Sequence, residues 1–341
     1  MSIAKNIDID NLHCLIDLHI HLDGAISLAS AKQLAELQNI DIPNTDEEIL
    51  DLFRVTDVCE NFSEFLSKFY FSGSLLQTQI GIKTAVCNLL NELKDQGVMY
   101  TEIRFAPQLS TVNGLSQEEV VKAAIAGLND VSDIKAQLIL CCMRGNDTYS
   151  ANIETIDVAS KYLGKGICAI DLAGSEDLYP TQDYAREFEH ARELNVPYII
   201  HAGEVVGPES VHAAIRFKAK RIGHGIRSVE DENLIKYLAE HKIPLEICPT
   251  SNLITGAFSD INNYPFKLLY DAGVVIIINT DDPAIIGTDI KSEYKLLIKQ
   301  FNLDLNDIYK LLMNAVNCSF ASDDTKIELV NKINKEFEVN E

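Results

Sequence analysis

The sequence predicts an α/β protein, a (β/α)8 barrel of the TIM type with a helical insertion after the first strand. Three observations predict it: eight short segments rich in β-branched and apolar residues, amphipathic stretches between them, and a chain of 341 residues. A barrel of this kind needs roughly 250 residues or more. In chain order, the predicted strands cover 15–22, 100–107, 136–143, 167–174, 197–201, 221–225, 244–249 and 274–281.

Predicted helices separate most of these strands, with apolar residues near helical spacing over 117–128, 183–194 and 230–240. The run 274–278 is continuously apolar, which is typical of a strand buried on both faces in a parallel sheet covered by helices. The long interval after the first strand contains several helical patterns and no second sheet, so it is predicted to be an insertion over one barrel end. No repeat, low-complexity tract or flexible linker divides the chain, and one domain over 1–341 is expected.

The formal net charge of -22 bears on possible partners. Such a chain repels phosphate backbones and anionic lipid surfaces, so we expect neither nucleic acid nor a membrane as partner. The eight cysteines lie mostly inside apolar runs without C-x-x-C spacing, which indicates buried thiols in a reducing compartment. No signal peptide and no run of roughly 20 apolar residues is present. We therefore expect a soluble cytoplasmic protein; its oligomeric state, a monomer included, is left open.

His19 and His21 lie at the end of the first predicted strand, in the run HIHLDG at 19–24. Side chains two residues apart on a strand point to the same face, so both imidazoles can reach one ion near the barrel axis. Imidazole is a common zinc ligand, but an isolated H-x-H pattern also arises easily by chance.

Further strand ends supply the other ligand types. His201 and His224 lie where the fifth and sixth predicted strands stop. The pair Asp281 and Asp282 lies where the eighth predicted strand stops. Active sites of this barrel lie at the carboxyl ends of the strands, so these positions agree in place and in chemistry. The acidic pair alone is also compatible with a helix start, since Pro283 follows. Burying two adjacent carboxylates without a cation is costly, which favours a metal site.

Glu204 follows the predicted ligand His201 by three residues. It is compatible with a solvated loop charge or with the first turn of the helix that begins near Pro208. A hydrolytic metal site needs a proton shuttle beside its water, and a glutamate with a raised pKa suits that task. The other histidines are predicted to have surface or structural roles. They are His13, His190, His212 and His241.

Within the insertion, Phe62, Phe65, Leu66 and Phe69 form one stripe of a predicted amphipathic helix. This spacing more often reflects core packing than a functional surface. Gly174, at the end of the fourth strand, is compatible with a turn or with the close approach of a planar ligand. Glycines at 203, 223 and 225 share this ambiguity.

Taken together, the motifs resemble those of the adenosine deaminase family of the amidohydrolase superfamily. The resemblance covers nearly the whole chain, and six motifs in the family's order are far more specific than any one of them. They are HIHLDG at 19–24, DLAG at 171–174, HAGE at 201–204, GHG at 223–225, CPTSN at 248–252 and NTDDP at 279–283.

The resemblance implies one zinc ion per chain, with ligands that the motifs identify. They are His19, His21, His201 and Asp281. It further implies that Glu204 protonates purine N1, while His224 and Asp281 orient and deprotonate the attacking water. Attack at C6 and loss of ammonia would convert adenosine and 2′-deoxyadenosine to inosine and 2′-deoxyinosine.

The resemblance also implies substrate contacts. Asp282 would hydrogen-bond purine N7, the backbone of Gly174 would meet N3, and His21 would border the substrate. The Phe62 to Phe69 stripe resembles the family's apolar gate, a lid that excludes water. Asp23 resembles the aspartate that contacts the ribose 5′-hydroxyl in adenosine deaminases, where adenine and aminofutalosine deaminases usually carry glutamate. Without the resemblance, the sequence Asp23-Gly24 indicates only the start of a turn.

Two other functions stay open at this point. The same fold and mechanism would serve adenine, a modified 6-aminopurine or a 5′-substituted adenosine. The second alternative is not an enzyme but a protein that binds zinc and a purine as a sensor. Because every catalytic role has a candidate residue here, the sequence favours an enzyme over such a sensor. Nucleic-acid deaminases use H-x-E with P-C-x-x-C, and neither half is present.

Overall fold

A computed structural model describes residues 8–59 and 61–339. Its strands follow the predicted order, and each is paired in parallel with its neighbour in the chain. The strands are β1 (Leu15–His21), β2 (Val98–Phe105), β3 (Lys135–Met143), β4 (Ile167–Ala173), β5 (Ile200–Ala202), β6 (Ile222–His224), β7 (Leu245–Ile247) and β8 (Ile276–Ile278).

The strands form two four-stranded sheets, β1 to β4 and β5 to β8. Isolated parallel bridges join the sheets at both edges, between Ile170 and Tyr198 and between Ile20 and Asp281. At the second edge, the Asp281 N–H donates to the His19 carbonyl at 2.8 Å and the His21 N–H donates to the Asp281 carbonyl at 2.8 Å. Parallel strands that alternate with helices and follow one another around the sheet confirm the predicted (β/α)8 fold.

Helices cover the outside of the strands and fill the insertion between β1 and β2. They are α1 (Leu28–Gln38), α2 (Asp46–Phe53), α3 (Phe62–Ser67), α4 (Phe69–Ser74), α5 (Gln79–Asp95), α6 (Gln117–Asn129), α7 (Tyr149–Tyr162), α8 (Ala185–Glu193), α9 (Pro208–Phe217), α10 (Glu232–His241), α11 (Pro249–Ile254), α12 (Phe266–Asp271), α13 (Pro283–Ile286), α14 (Ile290–Phe301), α15 (Leu305–Cys318) and α16 (Asp323–Glu336). Local sequence explains several starts, such as the capping box of Ser116 with Glu119 at α6.

The second half of the barrel has shorter strands than predicted. β5 to β8 contain three residues each. His224, the last residue of β6, has φ of 57°, and Asp281, three residues after β8, has φ of 65°, so the chain leaves extended geometry at both positions. The predicted helix 183–194 is also shorter, since a 3₁₀ turn at Thr181–Tyr184 precedes α8.

The described part of the insertion contains helices α1 to α5 joined by loops and no strand, as predicted, but the apolar stripe at 62–69 is not one helix. It is divided between α3 and α4 at Lys68, whose N–H donates to the Phe65 carbonyl at 3.0 Å. This i to i+3 bond tightens the last turn of α3 and redirects the chain. The four apolar side chains nevertheless pack in one cluster.

Apolar residues from both faces of the strands and from the inward faces of the helices form the core. All eight cysteines are free, and six of them are buried. In the described part of the chain, every helix is too short or too polar to cross a membrane.

Candidate functional site

Four predicted ligand side chains meet at the carboxyl ends of β1, β5 and β8. His19 Nε2 and His21 Nε2 lie 3.2 and 3.3 Å from Asp281 Oδ1, and His21 Nε2 lies 3.3 Å from His201 Nε2. One donor atom from each of the four residues lies within 4.8 Å of the others. A cluster of three imidazoles and a carboxylate at this spacing can hold a divalent metal ion.

Carboxylates behind two of these imidazoles fix their orientation. His19 Nδ1 lies 2.9 Å from Glu246 Oε2, and His201 Nδ1 lies 2.8 Å from Asp171 Oδ2. A ring whose single proton lies on Nδ1 has a free lone pair on Nε2, the atom that each of these rings directs toward the other donors. His19 is fully buried, and Asp281 Oδ1 at 3.2 Å does not satisfy its Nε2 in hydrogen-bond geometry. A buried nitrogen without a partner is what a bound cation would satisfy, so the donor set fits a metal cofactor.

The backbone near the cluster is strained and closely packed. His224 and Asp281 have left-handed φ values, which non-glycine residues adopt at a cost of order 1–3 kcal/mol and mainly at functional sites. Gly223 allows β6 to approach the ligands, because a Cβ there would lie 3.1 Å from His201 Cα and 3.3 Å from His19 Cε1. This close approach resolves the ambiguity of Gly223 in the sequence.

The CPTSN motif at 248–252 supports the cluster from β7. Ser251 Oγ donates to Asp281 Oδ2 at 2.6 Å, and Tyr264 donates its hydroxyl proton to Asn252 Oδ1 at 2.9 Å. The amide nitrogen of Asn252 then faces His224 Nδ1 at 3.1 Å. Burial holds the pKa of His224 well below its usual value, so the ring is neutral and carries its proton on Nε2.

Glu204 lies on the same side of the cluster as His224. Its Oε2 is 3.7 Å from His224 Nε2, and His224 Nε2 is 3.8 Å from Asp281 Oδ2. Burial, with the negative charges of Asp281 and Glu176 in addition, raises the pKa of Glu204 well above its ordinary value. This environment favours the protonated form of the Glu204 carboxyl group.

Asp282 and Asp23 present polar atoms without partners beside the cluster. The Oδ1 atoms of both are buried and make no hydrogen bond within the described residues. Burial, together with the charges of Asp281 and Asp23, raises the pKa of Asp282 well above its usual value. Gly24 gives Asp282 its room, because a Cβ at this position would lie 1.8 Å from Asp282 Oδ1. Both carboxyl groups are therefore available to a ligand.

The apolar stripe from the insertion packs against residues that neighbour Glu204 and Asp282 in the chain. Its neighbours include Val205, which follows Glu204, and Ile285 and Ile286 of α13. The Val55 N–H donates to the Ile285 carbonyl at 2.8 Å, which ties the insertion to the same helix. The cluster consists of Val55, Cys59, Phe62, Phe65, Leu66, Phe69, Val205, Ile254, Ile285 and Ile286.

Gly174 follows β4 with φ of 100°, in the region that favours glycine. The contact of its backbone with a purine stays a prediction. The four remaining histidines lie at the surface or partly buried, as predicted. His190 Nε2 is 2.7 Å from Asp157, His212 Nε2 is 3.0 Å from Asp231, and His13 and His241 are exposed.

Sequence reasoning missed the charged residues beneath the cluster. Arg104 of β2 is fully buried and contacts both orienting carboxylates, with Nη1 2.6 Å from Asp171 Oδ2 and Nη2 2.8 Å from Glu246 Oε2. Arg221 contacts the other oxygen of Glu246 and Glu102 of β2. Charged residues inside predicted buried strands were the available signal, because such residues are almost never buried unless paired.

Replacing Arg104 with Met is expected to lower the free energy of unfolding by about 3–5 kcal/mol, because Asp171 and Glu246 would lose a buried counter-charge. The measurement is urea unfolding. Arg186→Met is the matched control, since Arg186 is exposed and covers the Tyr149 ring at 4.1 Å, a contact of about 1 kcal/mol or less. Equal losses in the two variants would show that Arg104 does not anchor the two carboxylates.

Comparison with known proteins gives consistent matches over most of the chain. A family model described as adenosine deaminase matches residues 14–336. An adenosine deaminase of Haemophilus ducreyi is 44% identical over 331 residues, covering 95% of this chain and 96% of its own length.

Solved structures match as well. An adenine deaminase of Arthrobacter aurescens has a TM-score of 0.86 at 26% identity, covering 95% of this chain and 99% of its own. An amidohydrolase of Burkholderia ambifaria with bound Zn has a TM-score of 0.85 at 21% identity, covering 96% of this chain and 91% of its own. At 21% identity, this second likeness concerns the fold alone.

Proposed function

The chain belongs to the adenosine deaminase family, and from this membership we infer that it is an enzyme that deaminates adenosine by hydrolysis and releases ammonia. The observation that carries the inference is the position of Glu204 and His224 on one side of the four-donor cluster. We extend the substrates to 2′-deoxyadenosine. The test is release of ammonia and inosine in equal amounts from adenosine by the purified, metal-loaded protein.

We propose that the metal is zinc and that His19, His21, His201 and Asp281 hold it. The support is the donor chemistry, three imidazole nitrogens and a carboxylate, with two of the rings oriented by carboxylates. Bound zinc supplies a Lewis acid that lowers the pKa of water to about 7. An N/O donor set also accepts iron or cobalt, so the metal content of the purified protein decides between them.

The chain's own residues then move the protons. Glu204, whose pKa is raised by burial, donates its proton to purine N1 and makes C6 electrophilic. His224 directs its Nε2 proton toward the attacking water and orients it, while the Asp281 carboxylate accepts the proton that the water loses. Addition at C6 gives a tetrahedral carbon that carries a hydroxyl and the amino group. The proton taken up by Asp281 passes to the amino group, which leaves as ammonia, and the C6 hydroxyl returns its proton to Glu204, leaving the 6-oxopurine.

Other residues would orient the nucleoside. A protonated Asp282 can donate a hydrogen bond to N7, which is an acceptor, and the Gly174 backbone would meet N3. His21 borders the substrate from the metal side. Asp23, with a buried oxygen that lacks a partner, would accept a hydrogen bond from the ribose 5′-hydroxyl.

The apolar cluster of the insertion would cover the purine. Phe62, Phe65, Leu66 and Phe69 pack against Val205 and α13, directly beside Glu204 and Asp282. Excluding water there would strengthen the electrostatic interactions of the site and keep Glu204 protonated.

Free adenine is the second candidate substrate, because the chain is similar in structure to an adenine deaminase. Asp23 bears on this choice. Asp23→Glu is expected to lower the preference for adenosine over adenine by about 10-fold, since one added methylene displaces the carboxylate from the ribose. The measurement is the ratio of kcat/KM for the two substrates.

The control for Asp23→Glu is Asp177→Glu, which adds the same methylene to an exposed carboxylate in the loop after β4. This variant should keep the wild-type ratio. An unchanged ratio in Asp23→Glu would remove the proposed ribose contact.

A further inference from the structure

The loop that follows β5 carries Glu204, and the backbone amides of this loop converge on one carboxylate. Glu176 is 2% exposed. Its Oε1 accepts a hydrogen bond from the N–H of Gly203 at 2.7 Å, and its Oε2 accepts from the N–H groups of Glu204, Val205 and Val206 at 3.1, 3.0 and 3.2 Å. Both oxygens are thus occupied by consecutive backbone donors.

Four consecutive N–H groups around an anion form a nest, and hydrogen bonds to a charged acceptor are stronger than neutral ones. They determine the direction of the backbone at Glu204, and with it the point from which the Glu204 side chain extends. Because all four bonds go to the backbone, Glu176 is not itself placed to transfer a proton to a ligand.

Arg144 binds the end of β5 through a backbone carbonyl group, whereas Glu176 binds backbone N–H groups of the loop that follows. Its Nη2 donates to the His201 carbonyl at 2.6 Å and to Thr181 Oγ1 at 2.9 Å, and its Nη1 donates to the Tyr179 carbonyl at 2.7 Å. The positive charge of this buried side chain is also close enough to Glu176 to interact with it. The loops after β4 and β5 are therefore joined by a carboxylate on one side and a guanidinium on the other.

We propose that Glu176 is a positioning residue for the reaction: it holds the loop of Glu204 so that the Glu204 carboxyl group reaches purine N1. Glu176 lies two residues after Gly174, so the residue predicted to meet N3 and the support of the acid at N1 are in the same loop. The proposal rests on the proposed role of Glu204 as the proton donor.

The experiment is a double-mutant cycle in the metal-loaded enzyme with adenosine as substrate. Glu176→Gln keeps the shape of the side chain but turns an N–H₂ group toward backbone donors. We expect kcat to fall about 100-fold with KM within about threefold of wild type, because an error of about 1 Å in the position of a reacting group costs this much. In a Glu204→Gln background, the same change should lower the residual rate by less than about threefold, since the acid is already absent.

Glu176→Asp keeps the negative charge but moves the carboxylate away from the backbone N–H groups by the length of one methylene. We expect kcat to fall about 10-fold. The same cycle can be measured with this variant if Glu176→Gln does not fold. Glu92→Gln is the matched control, because Glu92 is a half-buried glutamate whose described hydrogen bond comes from Ser27 Oγ rather than from the β5 loop. Its kcat should equal that of wild type.

Two results would overturn the proposal. The first is a kcat of the folded, metal-loaded Glu176→Gln variant close to that of wild type. The second is an equal fold-loss in the wild-type and Glu204→Gln backgrounds, which is what a purely structural role produces. Failure of the proposed function is distinguishable, since the wild-type enzyme would then release no ammonia from adenosine. Failure of the proposed role of Glu204 is distinguishable too, since Glu204→Gln would then retain wild-type kcat.

Discussion

Replacing Glu204 with Gln is expected to lower kcat for adenosine by about 10²- to 10⁴-fold, the range typical of a lost general acid. The amide has nearly the same shape, but it cannot give up a proton to N1 as a buried, protonated carboxyl group can. Glu204 lies outside the four-donor cluster, so metal content should stay at one ion per chain. Affinity for the nucleoside should also stay near wild type.

The measurements are steady-state kinetics, metal analysis and direct binding of the nucleoside. Glu209→Gln is the matched control, because Glu209 lies in the same segment but is exposed in the first turn of α9. It should behave as wild type. Full activity of Glu204→Gln would show that the proton at N1 comes from another group.

Removing a metal ligand is expected to abolish both metal binding and turnover. In His201→Ala and Asp281→Ala, three donors remain, and Asp281→Ala also removes the negative charge that faces His19 and His21. We expect metal content well below one ion per chain and activity reduced by at least about 10³-fold, as expected for loss of a metal that activates water.

The metal content of the purified variants, measured by mass spectrometry of the elements, checks this expectation. His190→Ala provides the control, because it removes an imidazole that pairs with Asp157 at the surface. A full complement of metal in either ligand variant, together with wild-type turnover, would contradict the ligand assignment.

Much of the fold was predictable from the sequence because apolar runs recur at the spacing of βα units. The ends of the strands were not, since they depend on backbone conformation. His224 and Asp281 leave the strand ladder with left-handed φ, which hydropathy does not encode. The division of the apolar stripe at Lys68 likewise depends on local hydrogen bonding rather than on residue type.

The approach of the four donor side chains could be predicted because the geometry of a parallel barrel brings the carboxyl ends of its strands together. The ion pairs among the residues that support the donors could not be predicted from strand order. Arg104, Asp171 and Glu246 lie on three different strands, and their partners are defined only once the barrel is assembled. Glu176 was missed because a glutamate in a polar loop has no sequence signal for four backbone contacts.

The most direct test is ultraviolet absorbance of the metal-loaded protein mixed separately with adenosine, 2′-deoxyadenosine and adenine, with and without a chelator. We expect conversion of both nucleosides, no conversion of adenine, and loss of the reaction in chelator. Conversion of adenine alone would support the proposed deamination but contradict the proposal that the substrate is a nucleoside. No conversion of any of the three would contradict the proposed catalysis and favour a purine-binding protein without turnover.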